Sequence, residues 1–194
     1  DIYTRYSNPS NQELIDKVVL LENAEDGLAL SSGMAAIFST LAGLLSSGDH
    51  IVASRSLFGS TIKILNDILP RWGISSTLVD IDDSEQWTAA VQKNTKILFT
   101  ETPSNPGLDL CDLAFLGKLK EEHDLILVVD NTFATPVLQN PMNFGADLIA
   151  HSSTKFIDGQ GRTIGGLIVG KEQWISQIRP FVRNTGPSMS PFNA

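Results

Sequence analysis

The chain has 194 residues, 42% of them hydrophobic, which suits one folded domain with a real core and excludes a disordered segment. A formal net charge of −8 argues against nucleic acid, whose binders need a basic surface. The single cysteine, Cys111, allows no internal disulfide and fits a reducing compartment, so a cytoplasmic location is expected; His50, His123 and His151 are too scattered to suggest a metal site.

In chain order, residues 1–9 form a polar, aromatic opening that ends in Asn8-Pro9 turn chemistry. Ser10 is placed to cap a helix over 11–22, with Glu13 completing a capping box and Leu14, Val18 and Leu21 on one face. A strand is expected at 28–31, followed by Ser32-Gly33 and an apolar helix from Met34 to about Leu45. The uncharged run from Gly27 to Gly48 is long enough to span a bilayer, but its glycines and paired serines break it into strand, loop and buried helix. Strands are then expected at 51–54, 76–81, 96–101, 125–130, 147–151 and 166–169. Helices are expected at 60–71, 84–93, 112–122 and from 171 to about 179. Continuous apolar strands such as Ile97-Leu98-Phe99 and Leu125 to Val129 suit a sheet covered on both faces. The expectation is an α/β fold of three layers, helices on both sides of a mostly parallel sheet.

In such sheets ligands bind beyond the carboxyl ends of the strands. Those ends carry Ser32-Gly33 opening a helix, Phe58-Gly59, Glu101 with Asn105 after it, Asp130, and the run Ser152-Ser153-Thr154-Lys155. There is no G-x-G-x-x-G after a strand, no phosphate-binding G-x-x-x-x-G-K-[ST] loop and no G-x-S-x-G elbow. A pyridoxal phosphate site fits better. It needs a lysine for a Schiff base, a carboxylate facing the pyridine nitrogen and a phosphate cradle. Lys155 supplies the amine, in what reads as a dry setting, and Asp130 the carboxylate. The amides of Gly33 and Met34 at a helix start, with the Ser152 and Thr154 hydroxyls, suit a phosphate. Taken singly, each has a plainer reading. Asp130 also fits a cap, Gly33 a turn, Phe58 the core, the hydroxyl run a solvated turn and Lys155 a surface strand end.

The stretches Tyr3 to Pro9 (YTRYSNP), Ser31 to Ala36 (SSGMAA), Glu101 to Pro106 (ETPSNP), Val128 to Phe133 (VVDNTF) and His151 to Phe156 (HSSTKF) run along nearly the whole chain. Together they resemble the Cys/Met metabolism family of pyridoxal phosphate enzymes, the cystathionine γ-synthase-like group of fold type I. Leu57 to Thr61, Lys155 to Arg162 and Asn184 to Ala194 look most like its O-succinylhomoserine sulfhydrylase branch. The resemblance implies Lys155 as Schiff-base lysine and proton carrier, and Asp130 as partner of the ring nitrogen. It further implies Gly33, Met34, Ser152 and Thr154 around the phosphate, Asn105 near the ring hydroxyl and Phe58 stacked on the ring. Many relatives have a tyrosine at position 58, and phenylalanine there can stack but cannot donate a proton. Tyr3 and Arg5 are implied to reach the phosphate of a neighbouring subunit, in a homo-oligomer built as a pair of dimers with shared sites.

Family members are about twice this length, so residues 1–194 are expected to be the cofactor-binding large domain, without the part that carries the substrate-carboxylate arginine. The implied activity is γ-replacement on an activated homoserine ester, with sulfide or a thiol as second substrate, in methionine biosynthesis. Cystathionine γ-synthase and the γ-lyases are the alternatives within the family, and a cofactor-free α/β binding domain is the alternative outside it.

Overall fold

A computed structural model describes residues 3–194; Asp1 and Ile2, at the start of the N-terminal segment, lie outside the described residues. The elements run α1 (Pro9–Glu22), β1 (Asp26–Leu30), α2 (Gly33–Leu44), β2 (His50–Ser54), α3 (Gly59–Lys63), β3 (Ser75–Val79), α4 (Ser84–Ala90), β4 (Thr95–Glu101), α5 (Leu113–His123), β5 (Ile126–Asp130), α6 (Thr135–Leu138), β6 (Leu148–His151), β7 (Gly166–Gly170) and α7 (Glu172–Thr185). All seven strands join one sheet in the order β1-β7-β6-β5-β4-β2-β3. The pairs from β3 to β6 are parallel, whereas β7 is antiparallel to both β6 and β1. β7 is therefore the one reversed strand in an otherwise parallel sheet.

The apolar strands separate into two faces with a period of two. On β4, Ile97 and Phe99 pack with Ile37 and Leu41 of α2 and Ile175 and Ile178 of α7, while Leu98 turns to Trp87 of α4 and Leu116 of α5. On β5, Ile126 and Val128 join the first cluster, and Leu127 and Val129 the second. A third cluster packs Ile15 and Val18 of α1 on Ile149, Leu167 and Val169. Helices α2, α3 and α7 thus cover one face and α1, α4 and α5 the other. This is the three-layer α/β architecture expected from the sequence. Among the described residues, no helix is long and apolar enough to cross a membrane.

Several boundaries differ from the sequence reading. α1 starts at Pro9, whose missing N–H and fixed φ suit a first turn, and Asn8 is its cap, accepting the Ser10 N–H at 3.0 Å. The expected Ser10–Glu13 capping box does not form, and Glu13 pairs instead with Lys17 at 2.8 Å. The helix expected over 60–71 is α only to Lys63; a π-turn over Ile64–Ile68 and a 3₁₀ turn over Leu69–Trp72 follow, with Pro70 unable to extend the α-ladder. α7 continues through Pro180 to Thr185, held by Ile175, Ile178 and Val182 on its buried stripe.

At the amino end of β2, buried His50 joins three strands. Its Nδ1 is 2.8 Å from the Thr95 hydroxyl and its Nε2 is 2.9 Å from the Thr77 hydroxyl. Burial holds its pKa below the ordinary 6.5. The folded protein therefore takes up a proton here less readily than the unfolded chain, so the contribution of His50 is complete above about pH 6.5 and is lost as pH falls toward the folded value. Urea midpoints at about pH 7.5 and about pH 5.5 should show a smaller acid-dependent loss in His50→Asn than in the wild type.

The approach of α2 to the sheet depends on glycine. A Cβ on Gly166 would lie 2.0 Å from the Ser32 carbonyl oxygen, and one on Gly33 would lie 2.6 Å from Ser152 Cβ. At Gly166 the neighbours are all backbone, which cannot yield as a flexible side chain can. Gly166→Ala is expected to cost about 2 kcal/mol or more, read as a lowered denaturant midpoint.

Candidate active site

The alternation that sorts the core also aims the ends of the strands. Continuing the period of two, Glu101 on β4 and Asp130 on β5 fall on the α2 face, directly opposite each other in the parallel register. Beyond β6 the chain turns through Ser152 to Lys155, with the Lys155 N–H donating to the Ser152 carbonyl at 3.2 Å. These ends surround an open cavity of about 540 Å³. Its walls include Ser32, Gly33, Met34, Ile37, Phe58, Glu101, Asn105, Asp130, Thr132, Ser152, Thr154 and Lys155. Eight of the ten residues singled out from the sequence are therefore brought together. Tyr3 and Arg5 are not, and lie outside the cavity of their own chain. The Arg5 guanidinium stands over the Tyr3 and Tyr6 rings, 5.0 Å from each centroid, and donates to the Arg183 carbonyl.

Asp130 is only 7% exposed, and among the described residues it makes no ion pair. Burial raises its pKa, against the Thr132 hydroxyl, the Thr132 N–H that donates to Oδ1 at 3.0 Å, and the nearby His151. Such a carboxylate suits a cationic ligand group in the cavity. Glu101 is 5% exposed, and its pKa is pushed up to about 7, first by burial and then by the charge of Asp130. The Phe58 N–H donates to Glu101 Oε2 at 2.7 Å and opposes that rise.

At the other side of the cavity the start of α2 offers unused donors. Ser32 caps the helix by accepting the Ala35 N–H at 3.1 Å. Among the described residues, the Gly33 and Met34 amides have no acceptor, which is the polarity an anion needs. The Ser152 hydroxyl is close by, because Gly33 lets the helix start come up against Ser152. Thr154 Oγ1 is engaged with Gly165, accepting its N–H at 3.0 Å.

Lys155 is exposed and makes no ion pair among the described residues, which corrects the expected dry setting. It lies past the end of β6, where the chain has left the covered sheet. Phe133 and Phe156 also line the cavity, their rings edge to face with centroids 5.9 Å apart. Asn105 is also exposed at the rim. Cys111 takes no part; burial pushes its thiol up to about 11, which leaves it inert.

Behind the cavity, on the opposite face of the sheet, a polar network joins the strand ends. His151 Nε2 is 2.6 Å from Glu22 Oε1, and Asn131 Nδ2 donates to the same oxygen at 2.8 Å. Gln139 Nε2 donates to both Asn131 Oδ1 and the Thr102 carbonyl, each at 2.9 Å.

Sequence reading assigned no role to Glu101, Thr132 or Phe133. For Glu101 the signal was present, since it closes an apolar strand as Asp130 does. Thr132 and Phe133 offered none beyond their place after Asp130.

A buried carboxylate without a cation, a free helix start beside a serine hydroxyl, and an amine at one cavity match the donor set of a pyridoxal phosphate site. The comparisons with known proteins agree. The family model described as Cys/Met metabolism PLP-dependent enzyme, PLP being pyridoxal phosphate, matches residues 1–194. An O-succinylhomoserine sulfhydrylase of Pseudomonas aeruginosa is 43% identical over 194 residues, covering 100% of this chain and 48% of that protein. An L-methionine gamma-lyase of Treponema denticola is 42% identical over 198 residues, covering 100% of this chain and 49% of that one. The crystal structure of metB from Corynebacterium glutamicum superposes with a TM-score of 0.96 at 40% identity, covering 98% of this chain and 50% of that one. The chain thus spans about half the length of the curated relatives it matches. On its cavity and its sequence alike, the chain belongs to the Cys/Met metabolism family of pyridoxal phosphate-dependent enzymes.

Proposed function

We propose that the protein catalyses γ-replacement on O-succinylhomoserine, with sulfide as the incoming nucleophile and homocysteine as product. The observation that carries this reading is the meeting of Lys155, Asp130 and the α2 N-terminus at one cavity. The choice of ester and nucleophile rests on likeness to the sulfhydrylases.

When bound, pyridoxal phosphate supplies an electron-accepting ring that stabilises negative charge at the substrate α-carbon. Lys155 would hold the cofactor through its ε-amine and, once released by the substrate amine, move the α-proton. Asp130 would face the ring nitrogen and favour its protonated form, which its burial makes effective in low dielectric. The Gly33 and Met34 amides, with Ser152 and Thr154, would hold the phosphate, Thr154 exchanging its bond to Gly165. Phe58 would cover one face of the ring, and Asn105 would lie near its hydroxyl. Phe58 has no proton to give, so this position serves for stacking alone.

The location of Tyr3 and Arg5 outside their own cavity favours sites shared between subunits. Arg5 is then available to clamp a neighbour's phosphate through its guanidinium fork, in a cytoplasmic homotetramer. Likeness to the methionine gamma-lyases supports a second reading, elimination from a γ-substituted amino acid.

Adding pyridoxal phosphate to the protein should give a visible absorption band that Lys155→Ala abolishes; a band that survives in Lys155→Ala overturns the lysine assignment. Asp130→Asn should retain cofactor yet lower turnover by about 100-fold or more. Initial rates with O-succinylhomoserine should be higher with sulfide than with cysteine, and higher than elimination from methionine. Faster cystathionine formation, or faster elimination, moves the protein to the corresponding alternative.

A further inference from the structure

Glu101 is the buried ionisable group in the cavity that the proposed chemistry leaves without work. Its setting is unfavourable in two ways: it is nearly removed from water, and the neighbouring strand puts Asp130 directly opposite it. A group held against its own solvation in a cavity is a candidate for a functional role.

What Glu101 does is visible in its one hydrogen bond. Oε2 accepts the Phe58 N–H at 2.7 Å, across 43 residues of sequence. Phe58 needs that anchor. It is the N-cap of α3 but makes no side-chain cap bond, and α3 is a single short turn running on into the π-turn. Phe58 is 44% exposed, so burial against the core does not fix it. The following Gly59 meets nothing within 4 Å of where a Cβ would stand. The Phe58 carbonyl accepts the Thr61 and Ile62 N–H groups at 2.8 and 3.2 Å, which ties it to the short α3, and its own N–H is tied to the sheet by Glu101. Glu101 in turn belongs to β4, deep in the sheet, so it passes the rigidity of the core to a loop residue at the cavity mouth.

We infer that Glu101 is a positioning residue: through the Phe58 amide it sets where the Phe58 ring stands over a planar ligand in the cavity. This rests on the reading of the cavity as a pyridoxal phosphate site. Its Oε1 makes no hydrogen bond among the described residues, so the carboxyl has no second structural duty there.

The test uses the purified protein in cofactor-free and loaded forms. Amide exchange by mass spectrometry over a peptide containing Phe58 is measured beside pyridoxal phosphate affinity, read from quenching of tryptophan fluorescence. Glu101→Gln keeps an acceptor for the amide and should keep both the slow exchange and the affinity, within about two-fold. Glu101→Leu removes the acceptor; exchange at Phe58 should rise and affinity fall by about ten-fold. Phe58→Leu should weaken the cofactor similarly, and the double variant should be no weaker than Phe58→Leu alone. Should Glu101→Leu lose the native far-UV circular dichroism, Glu101→Asp replaces it, since one methylene less withdraws the acceptor while keeping the charge. Wild-type exchange in the Leu or Asp variant overturns the inference, as do additive losses in the double variant or a Gln variant as impaired as Leu. A wild type that takes up no pyridoxal phosphate instead overturns the cofactor reading, while the exchange comparison in cofactor-free protein still decides the role of Glu101.

Discussion

A carboxylate buried without a cation is costly, and the cavity is arranged around one. Asp130 ends a fully apolar strand and faces α2 because Ile126 and Val128 do, two residues apart each time. The Thr132 hydroxyl and N–H and the proximity of His151 offset part of its desolvation, and its pKa stays raised. An uncompensated charge of this kind makes the folded chain favour a ligand that brings a positive group to it. The pyridine nitrogen of the family's cofactor is such a group. The remaining walls offer a helix start with free amides beside Ser152, the Phe58 ring and the Lys155 amine.

Holding Asp130 in place falls to the opposite face of the sheet. His151, Glu22, Asn131, Gln139 and the Thr102 carbonyl form a continuous hydrogen-bonded set that ties the ends of β4, β5 and β6 to the end of α1. Asn131 and His151 are the residues just past, or at, the ends of their strands. Their side chains point away from the cavity while Asp130 and Ser152 point into it. Both faces of the sheet are therefore used at its carboxyl edge: one to present chemistry, the other to fix the edge that presents it. The close contacts at Gly33 and Gly166 complete this by letting α2 approach Ser152 and β7 closely enough to close that end of the cavity.

Much of this was legible in the residues. Continuous apolar runs at β4 and β5 announced a covered sheet, and the polar residues that end them marked the ligand edge. Asp130 stood out because it closes the apolar strand β5 with a charge, and Lys155 because it follows β6 after three hydroxyl residues. The reversed direction of β7 could not be read, since a buried antiparallel strand and a buried parallel one are both continuous apolar runs. The start of α1 was misjudged because Ser10 and Glu13 have the spacing of a capping box, while Asn8-Pro9 satisfies the same helix end two residues earlier. The helix after Phe58 was misjudged because its periodicity runs on through Pro70, where the backbone tightens into a 3₁₀ turn.

By itself the sequence determined the chemistry on offer: an amine, a carboxylate, a glycine-opened helix start and an aromatic, each near a strand end of an α/β chain, in stretches similar to one family. That follows from local rules, since side-chain period, turn residues and motif spacing act within a few positions. Only the tertiary structure decided which groups share a cavity, that Asp130 and Glu101 stand opposite each other, that Lys155 is exposed at the mouth, and that Tyr3 and Arg5 lie elsewhere. Those outcomes depend on strand order, register and close backbone approach, which join residues far apart in the chain and leave no mark on any one stretch of it.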